Sequence, residues 1–168
     1  MRRILAAVAA AGIALGTASA AYAGPSDGIS YTSEAGAHPF EGSASWGADE
    51  TTVREHDNTL KVNAETDNGW DWISVQFNAP TGQQLHEGTY QNVAASWPDT
   101  AQLAVPSFAA YRGTRQNHGT EACAYNASAD FTISRLTRGS DGAVTDLDVA
   151  FVLRCNAPAT RGEAHYHH

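Results

Sequence analysis

The sequence predicts an all-β fold, a single antiparallel β-sandwich closed by one disulfide, on three observations. Apolar residues recur at every second position in several runs, most clearly Leu147, Val149, Phe151, Leu153 and Cys155, the period of a half-buried strand. Turn residues separate these runs at intervals of roughly 8–12 residues, the spacing of jelly-roll and Ig-like sandwiches. Beyond the N-terminus, no stretch carries the 3.6-residue apolar period of an amphipathic helix.

Taken in order, the chain opens on a segment of a different kind. Arg2 and Arg3 precede an apolar run from Ile4 to about Leu15, and small residues then lead to Ala21-Tyr22-Ala23. That pattern is expected of a signal peptide, residues 1–23, with Ala18-Ser19-Ala20 as an alternative cleavage motif. The apolar run falls short of the roughly 20 residues needed to span a bilayer. Residues 24–28 read as a flexible leader and 29–168 as one β-sandwich domain. The expected location is secreted and extracellular.

Within the domain, Leu60, Val62 and Ala64 alternate against Lys61 and Asn63. The turn Thr66-Asp67-Asn68-Gly69 follows, and Ile73, Val75 and Phe77 then alternate against Trp72, Ser74 and Gln76, which predicts a hairpin. Asn78-Ala79-Pro80-Thr81-Gly82 closes it, and Gly88-Thr89-Tyr90 opens a further strand. Residues 94–120 form a long, weakly patterned stretch with Pro98, Pro106, Gly113 and Gly119, read as a functional or mobile loop. Asp130–Thr137 and Val144–Cys155 pair as a hairpin about Ser140-Asp141-Gly142. The last strand runs from Arg161 to His168, with Ala164 and Tyr166 on one face and Glu163, His165 and His167 on the other.

Composition narrows the function classes. The 168 residues carry a net charge of −8, and removal of Arg2 and Arg3 with the signal makes it −10, a balance that disfavours nucleic acid and anionic membranes as partners. Cys123 and Cys155 are the two cysteines. In an oxidising compartment a single Cys123–Cys155 disulfide is the economical expectation.

The run Trp72-Ile73-Ser74-Val75-Gln76-Phe77-Asn78-Ala79-Pro80, with Gly82-Gln83 and Gly88-Thr89-Tyr90, carries a resemblance. So do a Cys before a strand, a Gly-containing hairpin, a Cys after the next strand, and the ending Arg161-Gly162-x-x-x-Tyr166. The order of these pieces resembles a poorly characterised group of small secreted β-sandwich domains of high-GC Gram-positive bacteria. The resemblance covers about two-thirds of the expected mature chain and implies the fold. It supplies no catalytic residues, and Ala94 to Gly119 departs from it most.

No catalytic motif stands in a supporting context. The G-x-S-x-G spacing at Gly24-Pro25-Ser26-Asp27-Gly28 falls in the segment read as a flexible leader and not at a strand-to-helix elbow, there is no H-E-x-x-H zinc motif, and His86-Glu87 runs straight into Gly88. A glycosidase-like carboxylate pair would have to come from Glu55, Asp57, Glu65 and Asp71, an unselective choice in so acidic a chain. Asp67-Asn68-Gly69-Trp70-Asp71 gathers oxygen ligands suited to calcium, but a structural turn is the favoured reading. On one strand face, Glu163, His165 and His167 stand roughly 6–7 Å apart and would suit Zn²⁺ or Cu²⁺ if another strand added ligands. A polar strand ending in a histidine-rich tail is the favoured alternative.

Aromatic residues are the stronger lead. Trp70 and Trp72 are two residues apart and so share a strand face opposite Ile73, Val75 and Phe77. With Trp97 and Tyr111, and Trp46 near turn residues, they offer a stacking ledge, set against ordinary packing beneath a second layer or the long loop. The sequence thus points to a secreted non-enzymatic binding module for an extracellular glycan or protein. The alternatives are an adaptor or subunit of a secreted assembly and, further off, a secreted polysaccharide hydrolase.

Overall fold

A computed structural model describes residues 26–38, 40–66, 69–95, 103–114, 121–123, 127–155 and 158–168. The strands are β1 (Gly28–Ser33), β2 (Ser43–Gly47), β3 (Thr51–His56), β4 (Thr59–Glu65), β5 (Trp72–Asn78) and β6 (Gly88–Ala95). They continue as β7 (Ser107–Gly113), β8 (Glu121–Ala122), β9 (Ser128–Arg138), β10 (Val144–Arg154) and β11 (Thr160–His167). The fold is all-β, and the described residues include one 3₁₀ turn, Ala48–Glu50, and no α-helix.

Ten strands form one hydrogen-bonded path, β2-β1-β11-β10-β9-β6-β7-β5-β4-β3, with β8 attached to β7. Every pairing is antiparallel except β6 with β7, which is parallel over Ala94–Ser107 and Ala95–Phe108 alone. The two ends of the path, β2 and β3, are neighbours in sequence, joined by the turn at Ala48–Glu50. The sheet therefore curls back on itself and is nearly barrel-like. Thr51 Oγ1 donates to the Gly47 carbonyl at 2.8 Å, and the Gly47 N–H donates to the Glu50 carboxylate at 3.0 Å, which fixes this corner.

Period-two alternation puts one set of side chains inside. Leu60, Val62 and Ala64 of β4, Ile73, Val75 and Phe77 of β5, and Leu147, Val149, Phe151 and Leu153 of β10 are buried, as the alternation predicts. Phe77 is the hub, with ring centroids 5.4 Å from Phe108, 5.1 Å from Phe131 and 6.2 Å from Phe151. It joins strands from both halves of the path. Arginines close the two ends of this core. Arg138 of β9 forms a fork to the Glu55 carboxylate of β3 at 2.5 and 2.7 Å. The carboxylate is 7% exposed, and its hydrogen bonds raise the pKa of Arg138 above the ordinary value. Arg112 of β7 lies over the rings of Tyr31 (5.3 Å) and Trp46 (5.8 Å) and donates to Asp71 at 3.4 Å.

Both predicted hairpins are present, β4–β5 and β9–β10, and the turns between them use Gly69 and Gly142 at positive φ. The Cys123–Cys155 disulfide is formed, with Cα atoms 5.4 Å apart. The stretch 94–120 requires a correction: it contains β7, a central strand between β6 and β5. Ser107-Phe108-Ala109-Ala110-Tyr111 is buried on both faces, so no alternation marks it. Strands β1, β2 and β3 also went unassigned in the sequence. Gly28, expected as the last leader residue, opens β1, where a Cβ would lie 2.1 Å from the Trp46 carbonyl oxygen. Asp27 also bonds to His167 at 2.6 Å. The expected signal peptide lies outside the described residues.

Two stability predictions follow from this core. Phe77→Ala should cost about 3–5 kcal/mol in urea unfolding, as large-to-small changes at a buried hub do. A Cys123→Ser/Cys155→Ser double variant should lose about 3–4 kcal/mol, the chain-entropy value for a crosslink spanning 32 residues.

Candidate functional site: the outer face of β3, β4 and β5

The side chains that alternate with the core form an outer face whose rows follow from strand register. One row is Arg54, Lys61, Gln76 and Ala109; the next is Thr52, Asn63, Ser74, Tyr111 and Ala122; the third is Glu65, Trp72 and Gly113. A depression of about 550 Å³ lies on this face, lined among others by Thr52, Arg54, Lys61, Asn63, Trp72 and Ser74. Asp49 and Glu50 border it.

Trp72 is held in place by glycine. A Cβ on Gly113 would lie 2.3 Å from Trp72 Nε1 and 2.5 Å from Cε2, so the indole occupies the space that any other residue at 113 would fill. The indole is half-buried, with one side packed on β7. The approach to β5 is anchored as well. The Thr66 N–H donates to the Asp71 carbonyl at 3.0 Å, the Gly69 N–H donates to the Thr66 carbonyl at 2.7 Å, and Trp46 Nε1 reaches the Asp71 carbonyl at 3.4 Å. Burial raises the Asp71 carboxyl pKa, and the charge of Glu50 adds to the effect. The Asp71 side chain faces Arg112, while Asp67 and Asn68 of the segment considered for calcium lie outside the described residues.

The expected aromatic ledge is thus partly assembled. Trp72 lies opposite Ile73, Val75 and Phe77, as alternation predicts. Trp70 is 48% exposed but precedes β5, so strand geometry does not set its direction. Tyr111 shares the face of Trp72 yet is only 7% exposed, part of the floor rather than a platform. Trp46 does not join them: it is 3% exposed and faces the core against Arg112 and Tyr31. Trp97 lies outside the described residues. Sequence reasoning missed Arg54 opposite Lys61. The available signal was the two-residue turn Asp57-Asn58, where Asp57 adopts φ +53° and fixes the β3–β4 register.

Three of the four carboxylates considered for hydrolysis, all but Glu65, have other engagements. Glu55 is bound by Arg138, Asp71 faces Arg112, and Asp57 lies 3.3 Å from His56. On the opposite side of the molecule a depression of about 460 Å³ lies over β1, β11, β10 and β9. The aromatic residues beside it, Tyr31, Phe131 and Phe151, point into the core, so it offers no stacking surface.

Glu163, His165 and His167 share the outer face of β11, and carboxylates engage the two imidazoles. His165 Nδ1 is 2.7 Å from Asp148, His167 Nδ1 is 2.6 Å from Asp27, and His167 Nε2 is 3.3 Å from Asp148. Glu163 lies 3.7 Å from His165 Nε2. Among the described residues, no group of three or more His, Cys, Asp or Glu side chains is arranged to hold a metal ion. The hydrogen bond to Asp27 raises the His167 pKa; burial opposes it, and the Asp148 charge adds to it. At Asp148, burial alone would raise the pKa, but the His165 hydrogen bond and the neighbouring cations lower it on balance.

No family model matches the chain, and neither a curated protein nor a solved structure matches it significantly.

Gly113→Ala should displace the Trp72 indole, seen as a change in its fluorescence, while the core stays folded by circular dichroism. The His167 contribution has a definite sign. A folded-state pKa above the unfolded value of about 6.5 gives stabilisation that is full below that value and is lost as pH rises through the folded pKa. By NMR, His167 should titrate above 6.5, and Asp27→Asn should bring its midpoint back toward the ordinary value.

Proposed function

We propose that the protein is a secreted, non-enzymatic β-sandwich binding module that recognises an extracellular glycan through the outer face of β3, β4 and β5. The observation that carries this reading is Trp72, an indole backed by Gly113 at one end of a depression whose other lining side chains, Ala64 and Ile73 apart, are polar. An aromatic plane beside hydroxyl, amide and charged groups suits a sugar, whose C–H face stacks while its hydroxyls form hydrogen bonds. The sandwich description is supported by the β6–β7 pairing, which links β2-β1-β11-β10-β9-β6 to β7-β5-β4-β3 through two residue pairs alone. Export is supported by the N-terminal pattern through Ala23 and by the disulfide.

A second reading, an adaptor within a secreted assembly, is favoured by β2 and β3 standing at the ends of the path, where a partner strand can add.

Glycan-array screening followed by titration separates the two. The expected result is binding that Trp72→Ala weakens at least about tenfold, with far less loss of stability than Phe77→Ala causes. Absence of any glycan ligand, together with a stable protein partner recovered from culture supernatant, would assign the adaptor role instead.

A further inference from the structure

The charges on this face narrow the ligand class, an inference that rests on the glycan reading above. Arg54 and Lys61 are direct cross-strand partners on the outer face, where like charges destabilise a sheet. Lys61 is the sole lysine of the chain. The other described arginines all have an acidic partner: Arg112 with Asp71, Arg135 with Asp148, Arg138 with Glu55, Arg154 with Asp130 and Arg161 with Glu34. Among the described residues, Arg54 and Lys61 have none, although acids outnumber bases 18 to 10.

A second, independent observation lies in the adjacent row. Ser74 lines the same depression and is 6% exposed, and its Oγ has no hydrogen-bond partner among the described residues. A buried hydroxyl without a partner carries a desolvation cost that a bound acceptor would relieve. The cations, the hydroxyl and the indole therefore occupy three successive rows of one face.

We propose that the depression selects an acidic glycan. One sugar ring stacks on Trp72, a ligand oxygen accepts from Ser74 Oγ, and a carboxylate or sulfate group is held between Arg54 and Lys61. Register sets the size: Trp72 pairs with Glu65, four residues along β4 from Lys61, roughly 13 Å at strand rise. The ligand is thus a chain of sugars rather than a single one. Glu65, Asp49 and Glu50 lie toward the indole end and direct the anionic group to the far end of the depression. Elsewhere the acidic body repels polyanions, so capture is confined to this face.

The test is calorimetric titration of the purified domain at low and high salt. The probes are oligogalacturonate for carboxylate, sulfated dextran oligomers for sulfate, neutral dextran oligomers and polyglutamate. Wild type should bind at least one acidic glycan about tenfold or more tightly than the neutral one, and salt should weaken that binding. The Arg54→Gln/Lys61→Gln variant should lose about tenfold or more for the acidic glycan, the cost of a charge-assisted contact, with a far smaller change for the neutral one and no loss of thermal stability. Ser74→Ala should weaken the acidic ligand without unfolding the domain.

Five results would overturn the inference. Equal binding of neutral and acidic glycans, or a double variant that binds like wild type, removes the selectivity and leaves the glycan reading intact. A double variant that self-associates without loss of binding assigns the charges to guarding the β3 edge. Polyglutamate bound as tightly as the acidic glycan and independently of Trp72 makes the ligand an acidic peptide. Binding of no glycan by wild type overturns the glycan reading itself.

Discussion

The turn at Ala48–Glu50 joins two strands at opposite ends of a ten-strand path, and the rest of the structure depends on this connection. A flat sheet would hold its end strands many strand spacings apart, while three residues span about 10 Å at most. The sheet must therefore curl until β2 and β3 meet at a corner. Curling gives it an inside and an outside. Phe77 can then contact Phe108 on the adjacent strand and Phe131 and Phe151 from the other half of the path. It also lets Arg138 of β9 reach Glu55 on the far edge strand.

The two core-end arginines differ in what they connect. Arg138 and Glu55 close one end as a forked ion pair, which needs both partners because either charge alone would be costly to bury. At the other end, Arg112 is stacked on Tyr31 and Trp46 and faces Asp71. Asp71 immediately precedes Trp72, so the packing that closes the core also fixes where β5 begins and which side of the sheet the indole takes. Core and candidate site share this corner. A change at Arg112 would loosen both, whereas Thr52, Arg54 or Asn63 can vary with little effect on the interior.

How much of this was legible in the sequence depended on burial geometry. Strands β4, β5, β9 and β10 have one buried and one wetter face, so period two marked them, and Gly69 and Gly142 marked their turns. β7 is covered on both faces and contains Ala109-Ala110, so its pattern has no alternation and its composition is that of a loop. β1 and β2 were hidden by Gly, Ser and Thr, which occupy most of their positions. Trp72 was placed on the correct face because that needs only the parity of one strand. Finding Arg54 opposite Lys61 needed the register between two strands, and recognising Tyr111 as floor required knowing that β7 exists.

The site also shows how local charge can work against global charge. A protein with net charge −8 repels anions at long range, but screening limits that repulsion to about 8–10 Å at physiological ionic strength. Within that distance, the nearest charges govern. Arg54 and Lys61, left without carboxylate partners among the described residues, therefore keep their full capacity for an external acceptor, while Arg135, Arg154 and Arg161 have theirs engaged on other strands. On the acidic-glycan proposal, an anionic group would sit at the Arg54–Lys61 end of the depression, away from Asp49, Glu50 and Glu65, and a ring stacked on Trp72 would add to that contact.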